Sequence, residues 1–451
     1  VLTLSENAVS KSGSKYSLRL CYFGDIDNIW SVTYPYDPDT NERAMLATNG
    51  VDFVQKWGGT GCCVDLTAYP NYCQNICSFG SIGYHHIFCT SVYDTGSAIN
   101  FRQTIDISDA GALTWTRGDY YEIIDKEYEL KGIVPLRNNL AIYSTNSISI
   151  ASIGTAVEPL IVNENVVRNI GTPSIKTVVD TGQYHIFWSG KGIYSFDGIQ
   201  TNNLSKGNEQ YITKNVNILY QHLSFAMHLP EQTLYCLFLP WQDSRVPNMC
   251  IVFNYTTGQW TFWTFKYMAN VAMQIMAQGE YIKTYSPTWE ELTGNWNSKD
   301  MRWSDLIVGE NFSRMVFGDT NGYLYEYSDD YTTDSTFGIT SSITTKDYPL
   351  NKLESEFRLL ETVLQLRLKE SPTGYYTPAT LTIRASVDAG RNWTAWQTVT
   401  LDGNEQYMEK KVNWNMLGKH CRFEIAFSNP LIIETFRIGF NAQYKSLNFV
   451  N

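Results

Sequence analysis

The sequence predicts an all-β protein: a degenerate β-propeller over residues 1–340 followed by a β-sandwich over residues 341–451. Three observations carry this prediction. The 451-residue chain holds 30 Tyr, 21 Phe and 13 Trp, and aromatic side chains suit pleated, half-buried surfaces. Short alternating runs such as "YSLRLCYF", "HHIFCTSVY", "QTLYCLFL", "MCIVFNY" and "CRFEIAFS" are broken by Gly, Asn, Asp and Thr, while a 3.6-residue helical period is hard to find. Finally, a small turn followed by Gly and alternating hydrophobics recurs along the chain, as it does in sandwiches, barrels and propellers.

Taken in order, these hairpins are "TNGVDFVQKW" (48–57), "LRNNLAIYSTNSISI" (136–150), "GKGIYSFDG" (190–198), "FNYTTGQWTFW" (253–263) and "TNGYLYEYSDD" (320–330). Asn and Gly sit at the turns because two-residue hairpin connections need positive φ. The separations run from roughly 50 to roughly 85 residues, looser than the roughly 40–50-residue period of regular propeller repeats. Insertions that vary from blade to blade account for this; an irregular pair of sandwiches is the competing arrangement. The second domain opens near 341, where "SSITTKDYPL" is a Ser/Thr-rich turn region stopped by Pro349. In "EFRLLETVLQLRL", Leu364, Leu366 and Leu368 alternate with Gln365, Arg367 and Lys369, which is the strand period. The remaining length suits one sandwich of six to eight strands, in about 110 residues.

The net charge of −11 lacks the basic footprint of a free-standing nucleic-acid binder. The charge is uneven. Residues 341–451 carry 13 Lys+Arg and 11 Asp+Glu, a balance of +2, which leaves −13 on residues 1–340. Nine cysteines cannot all pair. Five cluster as Cys62, Cys63, Cys73, Cys77 and Cys89, but they lack paired C-x-x-C knuckles. Neighbours such as Cys62 and Cys63 point to opposite faces of a strand. Buried free thiols in a reducing compartment are therefore expected ahead of zinc. "VLTLSENAVS" shows no secretory pattern, and no apolar run approaches the roughly 20 residues of a membrane helix. A cytosol-like folding environment without membrane insertion is expected, and the sequon Asn254-Tyr-Thr256 is read as chance.

One motif invites an enzymatic reading. Ser386-x-Asp388-x-Gly390-x-x-Trp393 has the spacing of the Asp-box hairpin found in sialidases and other propeller proteins. Its physics is that of a turn: Ser and Asp bond turn backbone, Gly relieves strain, and Trp covers the hairpin base. A sialidase would carry several such boxes, an arginine triad and a Tyr–Glu pair. This chain has one box, outside the expected propeller, and "NFRQT" (100–104) lacks the Ile-Pro continuation of the sialidase arginine segment.

Other candidates are weaker. Glu290-Glu291 and Asp329-Asp330 are sequence neighbours, whereas two glycosidase carboxyls face each other roughly 5–9.5 Å apart across a bond. "DPDTNE" (37–42) opens like a calcium loop, but Glu42 stands where Gly is required and Thr48 where a bidentate Glu is required. His85-His86 would place one ring in and one out. G-x-S-x-G, the Walker A loop and G-x-G-x-x-G are all missing from the sequence. No catalytic residue, metal ligand or cofactor is assigned.

The C-terminal run carries a family likeness. After the Ser386–Trp393 hairpin come Trp414, Leu417 and Gly418 in a Trp-x-x-Leu-Gly pattern, a strand with Arg422, Phe423 and Phe427, and then Ser428-Asn429-Pro430. This order resembles the closing domain of tail nozzle or hub proteins of short-tailed bacteriophages, also called tail accessory or packaged-DNA-stabilisation proteins. In that family Asp is commoner than Asn before the proline. Upstream, "GKGIYSFDG" with "NLSKGNEQYI", and the 317–350 segment, are similar to the family's hairpin, connector and hand-over, so the likeness spans about residues 130–445.

The resemblance implies a structural, non-enzymatic virion protein in a homohexameric ring, assembled in the bacterial cytoplasm. Implied partners are the head-to-tail adaptor and portal, tail spikes or fibres, a needle or tip protein, and double-stranded DNA passing without sequence-specific binding. An acidic wall suits such a conduit because an attractive one would trap the duplex. The alternative is a carbohydrate-active propeller, either a sialidase-like hydrolase or a glycan-binding receptor module.

Overall fold

Six successive antiparallel sheets are followed by a pair of sheets packed face to face. The structure is a computed structural model that describes residues 28–59, 62–66, 69–81, 84–94, 99–116, 120–123, 129–154, 160–264, 273–283, 310–319, 324–326, 333–334, 337–338, 340–349, 356–368, 379–401, 407–428 and 433–444. The chain divides into two compact units. One comprises Val1–Thr264 and Met268–Tyr327, the other Phe265–Tyr267 and Ser328–Asn451.

The first unit is a propeller. Five sheets are four-stranded and the sixth shows three strands among the described residues. Their first strands are Ser31–Thr33, Asn75–Phe79, Leu130–Leu136, Val179–Asp180, Phe225–Leu229 and Met273–Lys283. Successive blades therefore start 44 to 55 residues apart, a tighter period than the sequence hairpins implied. The reason is that those hairpins occupy different places in their blades. "TNGVDFVQKW" and "GKGIYSFDG" join second to third strands, whereas "FNYTTGQWTFW" joins third to fourth. True insertions are local: a small hairpin pairing Tyr36–Asp37 with Glu42–Arg43 in blade 1, and a connector between blades 4 and 5. That connector holds a short helix, Glu209–Asn215, and a 3₁₀ segment, Ile218–Leu223.

Alternation of side chains turns each blade into a two-faced wedge. In the blade 3 strand Asn139–Ser144, Leu140 and Ile142 pack with Phe88 and Ile105 of blade 2. Ala141 and Tyr143 of the same strand pack with Phe187 and Phe196 of blade 4. The pattern repeats in blade 4, where Ile186 and Trp188 meet Tyr235 and Leu237 of blade 5. Each of the four spaces between successive blades from blade 1 to blade 5 thus has its own core, and strands such as Leu234–Leu239 and Met249–Asn254 read as nearly continuous apolar runs because both faces are covered.

First strands of blades 1, 2 and 3 lie side by side, as do those of blades 4 and 5, so the first strand is the inner one. An inner strand has a ladder partner on one edge only, and its other edge would leave N–H and C=O groups orphaned. Hydroxyls and one amide of neighbouring blades satisfy them. Ser31 Oγ accepts from the Ile76 amide at 3.2 Å and from Asn75 Nδ2 at 3.0 Å. Thr33 Oγ1 accepts from the Ser78 amide at 3.0 Å. Asn75 Oδ1 accepts from the Ile133 amide at 3.2 Å, so this one side chain ties blades 1, 2 and 3.

The second unit is a β-sandwich. One sheet is ordered Thr340–Thr344, His420–Ser428, Ala379–Ser386, Gln397–Leu401, with Tyr348–Pro349 also pairing with His420–Ser428. The other is ordered Tyr407–Gly418, Phe357–Leu368, Ile433–Tyr444. Leu364 and Leu366 are buried and Gln365 is exposed, as the two-residue period of a strand requires. The shared core takes Phe357, Leu359, Leu381, Ile383, Trp414, Phe423 and Ile425 from both sheets.

Candidate functional site

Most of the residues singled out in the C-terminal sequence meet at one corner of the sandwich. The Asp-box forms the turn after strand Ala379–Ser386. Ser386 Oγ donates to Asp388 Oδ1 at 2.8 Å and accepts from the Gly390 amide at 2.9 Å. Asp388 accepts from the Asn392 amide at 2.9 Å and from Asn392 Nδ2 at 2.5 Å. Those bonds, led by the Asn392 amide, hold the exposed Asp388 carboxyl down at a pKa of about 2, so it stays ionised at neutral pH and has no proton to give. Ala389 and Gly390 take φ of +62° and +86°, the left-handed region where glycine is favoured.

The later motif residues support this turn from below. A Cβ on Gly418 would lie 2.4 Å from the Val387 carbonyl oxygen, and the His420 amide donates to that same oxygen at 3.2 Å. Glycine is required there by close backbone approach. A Cβ on Gly390 would lie 3.2 Å from the Arg422 guanidinium, and Arg422 Nε donates to the Thr345 carbonyl at 3.2 Å. Trp414 is buried in the inter-sheet core and its indole N–H donates to Thr362 Oγ1 at 2.8 Å. Leu417 is 46% exposed and plays no core role. Ser428 ends its strand, paired through backbone with Thr340 and Thr380. Asn429 and Pro430 lie outside the described residues, as do Glu290, Glu291, Asp329 and Asp330.

Trp393 does more than cover the hairpin base. The Arg384 guanidinium lies 4.9 Å from the Trp393 ring and 4.5 Å from the Trp396 ring, and also pairs with Glu424. This cation–π stack fixes the hairpin against the sheet.

Among the described residues, no group of three or more His, Cys, Asp and Glu is placed to hold a metal. None of the eight described cysteines is in a disulfide. Cys62 is exposed and Cys63 half-buried, while Cys73, Cys77, Cys89, Cys236, Cys250 and Cys421 are buried. Burial pushes the Cys77 thiol up to about 12, which keeps it protonated and unreactive. "DPDTNE" is the inserted hairpin of blade 1, with Asn41 at φ +57° and Asp37 paired to Lys56 Nζ at 2.6 Å. Among the described residues, no helix is long and apolar enough to cross a membrane.

One concave feature was not legible in the sequence. A cleft of about 530 Å³ opens where blades 1, 2 and 3 meet. Its walls come from segments far apart in the chain: Tyr34–Tyr36, Arg43, Ser78–Ser81, His85 and the Arg137–Asn138 turn. His85 and His86 diverge: His85 is buried against this cleft, while His86 Nδ1 donates to the Ser108 carbonyl at 2.8 Å.

No protein-family model matches the chain, and no curated protein matches it in sequence. Similar solved structures include apo AztD from Citrobacter koseri, at 10% identity and TM-score 0.30 over 63% of this chain and 68% of that one. The extracellular domain of BT4673 from B. thetaiotaomicron is similar at 10% identity and TM-score 0.37, over 84% of this chain and 46% of that one. That of BT3049 from the same organism is similar at 11% identity and TM-score 0.34, over 93% and 56%. The chain thus spans about half the length of the two B. thetaiotaomicron domains. None of the three carries a function over to this chain.

Proposed function

We propose that this chain is a structural subunit of a ring, the nozzle or hub of a short phage tail. It continues the DNA channel below portal and adaptor, retains packaged DNA and anchors spikes or fibres. The supporting observation is the sandwich corner. Ser386, Asp388, Gly390, Gly418 and Arg422 are spread over 37 residues of sequence, yet they build one interlocked turn whose polar side chains hold backbone or a neighbour and whose glycines admit close approach. Such a motif explains a family-like order by architecture and needs no chemistry. The net charge of −11 suits a wall past which duplex must slide.

The test is assembly. At the concentrations reached during virion assembly, sedimentation and electron microscopy should show closed rings, and a tail reconstruction should place this chain below the adaptor. A persistent monomer that is missing from the tail would overturn the reading.

A further inference from the structure

We infer that the cleft shared by blades 1, 2 and 3 is a binding site for a carboxylated monosaccharide such as a uronic acid. It lies wholly within the propeller unit and does not depend on ring assembly.

The floor is His85. Its side chain is 4% exposed, and neither ring nitrogen makes a hydrogen bond of good geometry among the described residues. The Tyr36 backbone approaches as a hydrogen-bond acceptor outside that geometry, and the neighbouring His86 imidazole opposes a charge on the ring. A buried polar side chain left in this state costs roughly 1–3 kcal/mol, and native structures keep few of them. The local backbone is built to hold it there. A Cβ on Gly80, at φ +120°, would lie 2.8 Å from the His85 Cα, so the turn closes tightly only with glycine. Burial favours the neutral ring, which offers one donor and one acceptor, the pair that a sugar hydroxyl satisfies.

The rim is cationic and aromatic. Arg43, on the inserted hairpin, is exposed, and its guanidinium has no hydrogen-bond or ion-pair partner among the described residues. Arg137 donates one N–H to the Gln183 carbonyl and acts electrostatically on Asp197, which leaves further donors for the cleft. Guanidinium forks match a planar carboxylate better than they match a neutral ligand. Tyr34, 58% exposed, and Phe79 supply flat apolar faces for the C–H face of a pyranose, and Asn138 adds an amide. The volume falls within the usual range for small-molecule sites.

The test titrates the full chain with sodium glucuronate, glucose and inorganic phosphate, read by calorimetry or ligand-observed NMR. Arg43→Gln and Tyr34→Ala are the variants, because both side chains are exposed and the fold should survive, as a thermal melt would verify. Saturable glucuronate binding is expected, with glucose at least tenfold weaker; Arg43→Gln should lose roughly tenfold in affinity, the size of one charge-assisted contact, and Tyr34→Ala should weaken binding through the lost apolar face. Three outcomes would overturn the inference: no saturable glucuronate binding, equal affinity for phosphate, or binding unchanged in Arg43→Gln.

Discussion

Asn75 shows how much one buried amide can do. It donates to Ser31 of blade 1 and accepts from the Ile133 amide of blade 3 while sitting on the inner strand of blade 2. Asn75→Ala would leave the Ile133 N–H buried without a partner and should lower stability by about 1–3 kcal/mol, read as a shift in urea midpoint at unchanged slope. Histidines set a second expectation at this scale. Nε2 of His185 donates to the Pro135 carbonyl at 2.8 Å, and its Nδ1 accepts from the Tyr143 hydroxyl at 2.9 Å. Burial lowers its pKa, against a smaller opposing pull from the Pro135 hydrogen bond and Asp180. Burial likewise lowers His85 and His228. The folded state thus prefers neutral rings, while the unfolded chain takes up protons as pH falls below about 6.5. Stability from these groups is complete above that pH and declines beneath it, so the urea midpoint should be lower at pH 5.5 than at pH 7.5. His185→Gln should flatten part of that slope; an unchanged slope would remove His185 from the account.

At the scale of the element, strands were legible and their faces only partly so. The alternation of Leu364 and Leu366 with Gln365 and Arg367 marked one sandwich strand correctly, because that strand has a covered face and an open one. Asn139–Ser144 carries apolar side chains on both faces, each serving a different inter-blade core, and Leu234–Leu239 is likewise buried on both faces. Periodicity cannot say which neighbour takes which face. The helix Glu209–Asn215 escaped the sequence reading because it is only seven residues long and buries Ile212 alone. The Asp-box was legible as a turn because its bonds are local, within four residues. Its support by Gly418 was not, since that contact joins distant strands. Gly418→Ala tests the contact directly. Its Cβ would meet the Val387 carbonyl at 2.4 Å, and the forced shift should lower stability by about 1–3 kcal/mol. Gly439→Ala, where nothing lies within 4 Å, should be nearly neutral. If the two variants melt together, close approach does not explain Gly418.

For the molecule as a whole, size and charge constrain function more tightly than any single side chain. The blade period was blurred in the sequence because turns of different rank were compared, and it sharpens once first strands are aligned. The cleft was invisible for a related reason: Tyr34, Arg43, His85 and Arg137 become neighbours only when three blades pack. Net charge, by contrast, needs no fold. With −13 on residues 1–340 and +2 on residues 341–451, the larger part of the chain carries the sign of charge that disfavours a duplex, and any attraction would have to come from local groups of cations. The proposed conduit calls for a wall with little attraction for duplex, because each phosphate contact adds a salt-dependent grip that must be broken for every step of movement. The isolated protein should therefore leave the mobility and anisotropy of duplex DNA unchanged at roughly 50 mM salt, where weak electrostatic binding is strongest, and equally at roughly 200 mM. Retention that weakens steeply with salt would reveal a concentrated basic surface and would contradict a passive wall, whatever ring the subunits form.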